Sequence, residues 1–283
     1  MTVHAHVAPS GTSRVATGIT RYWGIARITP LGELLAPPRL SANALRLGVQ
    51  IFLVVCLWRA LYAQTSHVAG LTREQAVTYA VLATLAGRMR ILDRRYGRDT
   101  VLQHMHFGTV IYWFLRPLAP RRYYVLRALG DQVYGFTWAL VGYAICLWAG
   151  AVSLPSSTAS MTAFVVSMLL GQMILYHVMQ LIDLTCFWTL HNSAALLILQ
   201  FIQNLLSGSY SPLWFFPDWF NTMSSFLPFQ FTLNVPLSLY AGIIPPSDAI
   251  QQLCFQGAWV VGLALLTKWL WRRAARRIIS QGG

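Results

Sequence analysis

The chain has 283 residues, of which 56% are hydrophobic and 10% are charged, whereas soluble domains contain about 45–50% apolar and about 25% charged residues. This composition argues against a water-soluble globular enzyme. The 21 Lys and Arg residues outnumber the 8 Asp and Glu residues and give a net charge of +13, but residues 128–267 contain no Lys or Arg. The charge pattern therefore argues against nucleic acid as a partner, because a nucleic-acid binder would not leave half its length without basic side chains.

The first 46 residues form an N-terminal segment that contains five arginines but no apolar core of the kind a cleavable signal peptide requires. Residues 13–33 alternate basic side chains with apolar and aromatic ones, which predicts a helix lying in the cytoplasmic membrane interface. The arginines of the whole segment are Arg14, Arg21, Arg27, Arg39 and Arg46.

Six apolar stretches approach the roughly 20 residues that a helix needs to cross a bilayer. Backbone amides in lipid must be paired within their own segment, so these stretches predict helices rather than open strands. The fold class is therefore all-α, a polytopic integral membrane protein with one transmembrane domain over residues 47–271 and a basic tail over 272–283. The predicted spans are residues 47–63, 75–89, 133–149, 159–182, 193–208 and 253–271.

The arginine distribution predicts the orientation, since cytoplasmic loops are rich in Lys and Arg. The N-terminal segment, the loop between the second and third spans and the C-terminal tail are all basic, whereas the loop at 150–158 has no charge. We therefore expect a multi-pass protein of the cell (plasma) membrane with both termini in the cytoplasm.

Two segments outside the spans have unusual compositions. The coupling segment, residues 102–118, is apolar and aromatic but too short to span, which is typical of interfacial or buried stretches. The outer segment, residues 209–242, is rich in proline and aromatic residues, and Asp218 is its only charged residue. Closely spaced prolines forbid one continuous helix, so we predict short re-entrant helices dipping into the outer leaflet.

No catalytic or metal-binding pattern is recognisable. A phosphate-binding loop of the form GxxxxGK[ST] is missing and Lys268 is the only lysine, so any ATP must be handled by another protein. The cysteines show no CxxC or Cys/His spacing, and His104 and His106 have no acidic or thiol neighbours to complete a metal site. We expect neither an enzyme nor a resident metal or cofactor.

Two polar patches lie within predicted spans. Gln172, Tyr176, Gln180 and Asp183 share one face of the fourth span, which is compatible with a proton relay but is more typical of hydrogen bonding between helices. Gln200, Gln203 and Asn204 form a patch on the fifth span, where they would line a pathway or hold two subunits together.

The chain resembles the membrane-spanning permeases of type-two ABC exporters, and more closely the six-span branch common in antibiotic and natural-product export. The resemblance rests on the interfacial helix before the first span, on the sequence HFGTVIYWFLRPLAP from His106 to Pro120, and on the proline and aromatic pattern of the outer segment. The resemblance assigns ATPase coupling to His106, Gly108, Trp113, Leu115, Arg116 and Pro117. It assigns the outer gate to Pro212, Phe216, Pro217, Trp219, Leu227, Pro228, Phe229, Pro236, Tyr240 and Gly242.

This resemblance implies a permease that exports a hydrophobic or amphipathic molecule and draws its energy from two copies of a cytoplasmic ABC ATPase, which would bind ATP and Mg. A second permease chain, identical or related, would complete the pathway within the lipid. The alternatives are a proton-coupled secondary carrier and a membrane scaffold without transport. A carrier would be expected to contain an internal repeat, and residues 47–149 and 159–271 show no self-similarity.

Overall fold

The computed structural model describes residues 24, 26, 31, 35, 37–63, 67–68, 71–89, 104, 107–109, 119–155, 157–189 and 193–281. Its helices are α1 (Pro37–Leu61), α2 (Arg73–Ala86), α3 (Pro120–Trp148), α4 (Thr158–Thr189), α5 (Ser193–Leu206), α6 (Asp218–Ser225), α7 (Asn234–Tyr240) and α8 (Pro246–Gln281). Short 3₁₀ helices occupy Gly87–Met89, Leu213–Phe215 and Gln230–Thr232, and a two-stranded hairpin pairs His67–Val68 with Leu71–Thr72. The predicted interfacial helix at 13–33 and most of the coupling segment lie outside the described residues.

The predicted all-α fold is confirmed, and each of the six predicted spans coincides with a helix: α1, α2, α3, α4, α5 and α8 in turn. Several helices are longer than their apolar stretches. The largest difference at a single end is at the start of α3, which begins at Pro120 rather than at residue 133. Proline is well suited to the first position of a helix because the N–H group it lacks would have no partner there. This accounts for the starts of α1, α3 and α8 at Pro37, Pro120 and Pro246.

Three of the helices, α1, α4 and α8, contain windows that are long and apolar enough to cross a membrane. Helices α2 and α5 have 14 residues each and are therefore only about 21 Å long at 1.5 Å per residue. The hydrocarbon layer is about 30 Å thick, so each of these two helices is shorter than the layer. The outer segment follows α5 in the chain.

Helix α4 lies at the centre of the bundle and α1 at its edge, since half of the apolar window of α4 is buried but only 6% of that of α1. Helix α8 packs along α4, while α2 packs against α1 and α3. Helix α3 lies close to α2 and to the 3₁₀ helix that follows it, because glycines of α3 face them. A Cβ atom on Gly142 would meet Leu85 of α2, and one on Gly135 would meet the backbone of Arg88 and Met89 in the 3₁₀ helix.

Helix α2 is almost enclosed by protein, with ten of its 14 residues buried. Its start is fixed by a capping box, in which Thr72 and Gln75 each bond the other's backbone N–H group. The weak apolarity of this helix, which contains Thr78, Tyr79 and Thr84, is typical of a helix that faces protein rather than lipid, and the burial agrees.

Candidate functional site

The outer segment forms a compact cap over one end of the bundle, which we call the outer end. A glycine with positive φ precedes it, Gly208 (76°), and another ends it, Gly242 (71°). A left-handed residue of this kind closes a helix C-terminus and is accessible to glycine without steric cost. Gly208 follows α5 and Gly242 follows α7, so each permits a sharp change of chain direction.

Aromatic side chains fill the space beneath this cap. Phe216 stacks on Phe220, with ring centroids 4.6 Å apart. Leu227 and Phe229 pack into the same cluster, which is built on Leu206 at the end of α5. The structure therefore brings three predicted gate residues, Phe216, Leu227 and Phe229, into one apolar cluster.

The remaining predicted gate residues differ in exposure. Pro212, Pro228 and Pro236 are buried, whereas Pro217, Trp219 and Gly242 are exposed. Trp219 keeps 68% of its surface accessible, although it lies in the first turn of α6 beside the buried Phe220. A tryptophan in this position is typical of the membrane–water interface.

Tyr79 of α2 is hydrogen-bonded to the glycine that precedes the cap and to the first residue of α7. Its hydroxyl group donates to the backbone carbonyl of Gly208 (3.2 Å) and to Asn234 Oδ1 at the start of α7 (3.1 Å). Its ring makes an edge contact with Trp214, at 4.7 Å between centroids. Only 1% of Tyr79 is exposed, and a Cβ atom on Gly208 would lie 2.6 Å from its hydroxyl oxygen.

A second attachment joins α7 to α3 and to the loop after it. The Tyr240 hydroxyl donates to the Ser153 carbonyl (3.0 Å) and lies 2.7 Å from the hydroxyl of Tyr143 on α3, which can donate to it. The side chains of Ser153 and Thr78 of α2 are hydrogen-bonded at 2.9 Å. Gln75, also on α2, donates to the carbonyl of Ala241 (3.3 Å).

Helices α4 and α8 support the middle of the cap. Gln256 of α8 is fully buried and donates to the carbonyls of Phe231 (2.8 Å) and Ser167 (3.3 Å). Gly171 of α4 lies against the 3₁₀ helix Gln230–Thr232, because a Cβ atom on Gly171 would lie 2.8 Å from the Phe231 carbonyl oxygen. The cap is thus packed on protein rather than suspended in lipid.

The predicted polar patch on α5 also contributes to this packing. Gln203 is 1% exposed and its amide donates to Thr232 Oγ1 at 2.6 Å. Asn204 donates to the Tyr210 hydroxyl (3.3 Å), and Gln200 is half-buried. Gln203 therefore connects α5 to the outer segment within one chain, and its assignment to a pathway or a subunit interface stays a prediction.

Of the predicted coupling residues, the described part of the chain includes only Gly108. It is exposed and adopts φ 64°, in a turn with the exposed Phe107. Close by, His104 Nδ1 and Thr109 Oγ1 are hydrogen-bonded at 2.8 Å. His106, Trp113, Leu115, Arg116 and Pro117 lie outside the described residues.

Sequence reasoning did not identify the residues of other helices that hold the outer segment. Tyr79, Ser153 and Gln256 belong to three different elements, and only the fold brings them to the same end of the bundle. The polar character of α2 was the available signal, since hydroxyl and amide groups within a membrane helix need partners.

Residues 48–282 match the family model described as "ABC-2 family transporter protein". The matched region contains the last 14 of the 25 residues of α1, every later helix and the whole outer segment. No curated protein and no solved structure matches the chain.

Proposed function

Because the chain belongs to the ABC-2 family of transporter proteins, and is thus a membrane-spanning permease, we propose that it forms half of an ATP-driven exporter. Its cargo would be a hydrophobic or amphipathic molecule, such as a drug, natural product or lipid, that moves outward through the cell membrane. Both termini would lie in the cytoplasm, in agreement with the arginines of the N-terminal segment, of residues 88–127 and of the tail.

The observation that carries this proposal is the position of α2 between the two segments to which the resemblance assigns function. The coupling segment follows α2 in the chain, and the hydroxyl of Tyr79 on the same helix contacts Gly208 and Asn234 of the cap. A continuous helix acts as a rigid element, so a tilt imposed at one end is carried to the other. Force applied to the coupling segment would thereby reach the outer gate.

The force would come from a separate pair of ABC ATPase subunits, since the sequence has no phosphate-binding loop of its own. These subunits would bind ATP and Mg and press on the coupling segment and the interfacial helix as they close. The permease chain would therefore not be an enzyme.

A second permease chain, identical or related, would complete the pathway. Two observations support this step: α1 is hardly buried within the chain, and α5 exposes Leu197, Ile198 and Phe201. The pathway would run chiefly between α1, α2 and α5 of the two chains, with the remaining apolar surface in lipid.

The test combines co-purification with reconstituted transport. The tagged chain should retain a stoichiometric ATPase subunit in mild detergent, and vesicles containing both should export a hydrophobic fluorescent probe when ATP is supplied. If no nucleotide-binding protein is retained and transport instead follows a proton gradient, the proposal is wrong and a secondary carrier replaces it.

A matched pair of glycine variants tests the coupling role. Gly108 and Gly150 both have positive φ (64° and 65°), and neither has an atom within 4 Å of a new Cβ. Gly108→Trp should uncouple ATP hydrolysis from transport, whereas Gly150→Trp, in the loop after α3, should not. Equal loss of transport in the two variants would contradict the coupling assignment.

A further inference from the structure

One side of α1 combines polar side chains in its inner half with apolar ones in its outer half, the half whose Trp58 packs against Phe215 of the outer segment. The side chains follow one another at intervals of three or four residues, so they form a single stripe along the helix. Four of the five are exposed and the first is half-buried. The amphipathic stripe, as we call it, consists of Asn43, Arg46, Gln50, Leu53 and Leu57.

The stripe differs from the two sides of α1 between which it lies. Leu47 and Trp58 belong to the core that α1 shares with α2. On the opposite side of the helix, Leu45 and Phe52 keep 71% and 65% of their surface accessible. Large apolar side chains with this exposure are suited to lipid, which leaves the stripe as a separate surface of the helix.

The polar part of the stripe reaches deep into the membrane layer. Gln50 lies ten residues after Leu40 and eleven before Leu61, the ends of the apolar window of α1, and is therefore about 15 Å from either end. Arg88, in the 3₁₀ helix after α2, donates to Gln50 Oε1 at 3.2 Å. Its guanidinium group thus lies well inside the layer rather than among the headgroups.

Exposure of these groups to lipid tails would be costly. A charged side chain at the centre of a bilayer costs about 2.5–3.5 kcal/mol even on the lowest scales, and an amide without a partner there is also unfavourable. Arg46 is exposed one turn before Gln50, on the same side of the helix. A surface of this kind is expected to face a polar ligand or a pathway rather than lipid.

The stripe offers hydrogen-bond donors and positive charge. Arg46 is permanently charged and has five N–H donors. Gln50 directs its Oε1 atom toward Arg88, so its Nε2–H groups lie on the other side of the amide. The described residues of α1, α2 and α5 include one acidic side chain, Glu74, which is in the first turn of α2 at the outer end; Asp131 of the neighbouring α3 is buried.

We propose that the amphipathic stripe binds the cargo and that the cargo is an amphipathic anion. Its negative group would accept hydrogen bonds from Arg46 and Gln50, since a guanidinium group matches the oxygens of a carboxylate, sulfate or phosphate. Its apolar part would lie along Leu53 and Leu57, which expose 59% and 56% of their surface and extend the stripe about 10 Å toward the cap.

This inference rests on the proposed function, in which α1 forms part of the wall of the pathway. It narrows the cargo from any hydrophobic or amphipathic molecule to one that carries a negative charge.

Binding to the permease alone tests the proposal. The chain is placed in nanodiscs of a zwitterionic lipid, with empty nanodiscs as the blank. Three pyrene-labelled probes share one alkyl tail and end in a sulfonate, a hydroxyl or a quaternary ammonium group, and energy transfer from tryptophan to pyrene measures the bound fraction. The sulfonate probe should bind about tenfold more tightly than either of the others.

Variants of α1 then locate the site. Arg46→Gln should reduce the preference for the sulfonate probe about fivefold, whereas Arg46→Lys, which keeps the charge, should retain most of it. Arg59→Gln is the matched control and should leave the preference unchanged, because Arg59 is equally exposed on α1 but lies near its outer end and outside the stripe. Leu57→Asn should weaken the sulfonate and hydroxyl probes by the same factor, because it changes only the contact with the tail.

Equal binding of the three probes, or equal effects of Arg46→Gln and Arg59→Gln, would overturn the proposal. A second permease chain could instead cover the stripe. In that case Gln50→Cys, in a variant whose four native cysteines are replaced by alanine, would form a disulfide with its copy and no probe would bind, which would overturn the proposal as well.

The assay contains no ATPase, so the two proposals fail separately. A chain that exports a probe with ATP but shows no preference for the sulfonate contradicts only the assignment of the stripe. A chain that prefers the sulfonate but retains no ATPase subunit contradicts only the exporter.

Discussion

The substitution Tyr79→Phe removes one hydroxyl group from the contact between α2 and the cap and leaves the aromatic ring against Trp214 in place. The hydroxyl bonds Gly208 O at 3.2 Å and Asn234 Oδ1 at 3.1 Å. One hydrogen atom serves both acceptors, so the loss amounts to a single shared hydrogen bond.

The size of the effect follows from this geometry. Hydrogen bonds between membrane helices average about 0.6 kcal/mol and reach about 1.7 kcal/mol, and here a buried backbone carbonyl also loses its side-chain donor. We therefore expect Tyr79→Phe to lower the free energy of unfolding by about 1–2 kcal/mol. If the bond forms in only one state of the gate, 1 kcal/mol changes the ratio of the two states about fivefold.

The assay measures cargo exported per ATP hydrolysed in vesicles that contain the permease and its ATPase. Tyr79→Phe should reduce this ratio severalfold while ATPase association is unchanged. Tyr210→Phe is the matched control, because its hydroxyl bonds Asn204 of α5 rather than any group on α2. A normal ratio in Tyr79→Phe, despite a measured loss of stability, would refute the linkage between α2 and the gate.

Three further predictions concern the packing of the cap and are checked by unfolding in detergent. Gly208→Ala should lower the free energy of unfolding by about 2–4 kcal/mol and Gly150→Ala by only about 1 kcal/mol. Both glycines have positive φ, but only at Gly208 would a new Cβ atom lie 2.6 Å from Tyr79 Oη. Equal losses in the two variants would contradict this prediction. Gly171→Ala should destabilise the protein, since the new Cβ atom would meet Phe231 O at 2.8 Å. Gly262→Ala, on the open face of α8, should stabilise it by up to about 1 kcal/mol. A change of the same sign in the free energy of unfolding of both variants would contradict this prediction. Gln256→Leu should lower the free energy of unfolding by about 1–3 kcal/mol, because it leaves the Phe231 carbonyl without its donor at 2.8 Å. An unchanged stability would show that this hydrogen bond is dispensable.

Sequence composition was sufficient to predict the order and approximate position of six of the described helices, α1 to α5 and α8. A long apolar stretch indicates a helix that is buried in protein or surrounded by lipid. This can be recognised without knowing which other segments pack against it. The outer segment was also recognisable, because proline spacing excludes a long helix whatever surrounds it. Its division into α6, α7 and two 3₁₀ turns was not predictable, since these bounds depend on packing against α4 and α8.

The start of α3 shows where hydropathy is uninformative. Residues 120–132 carry Arg121, Arg122, Arg127 and Asp131, so a search for apolar residues assigns them to a loop. In the structure they continue the helix beyond its apolar stretch, and Gln132 meets Gln172 of α4. The polar face of α4 was interpreted as a surface for hydrogen bonds between helices, and this is confirmed for Gln172. Its partner, Gln132, lies in a segment that was predicted to be a loop.

The contacts that hold the cap also predict how it responds to solution conditions. Those described above, from Tyr79, Thr78, Tyr143, Gln203 and Gln256, are made by hydroxyl and amide groups, which carry no charge.

Burial raises the pKa of the Tyr240 hydroxyl above its ordinary value, and the hydrogen bond with Tyr143 raises it further. A raised pKa means that stability from this bond is fully present below the unfolded value of about 10 and is lost only as the pH rises through the higher folded value. The difference in Tm between the unmodified chain and Tyr143→Phe should therefore be constant from about pH 6 to about pH 9 and insensitive to salt. A difference that changes across this range would mean that a charged group, absent from these contacts, takes part in holding the cap.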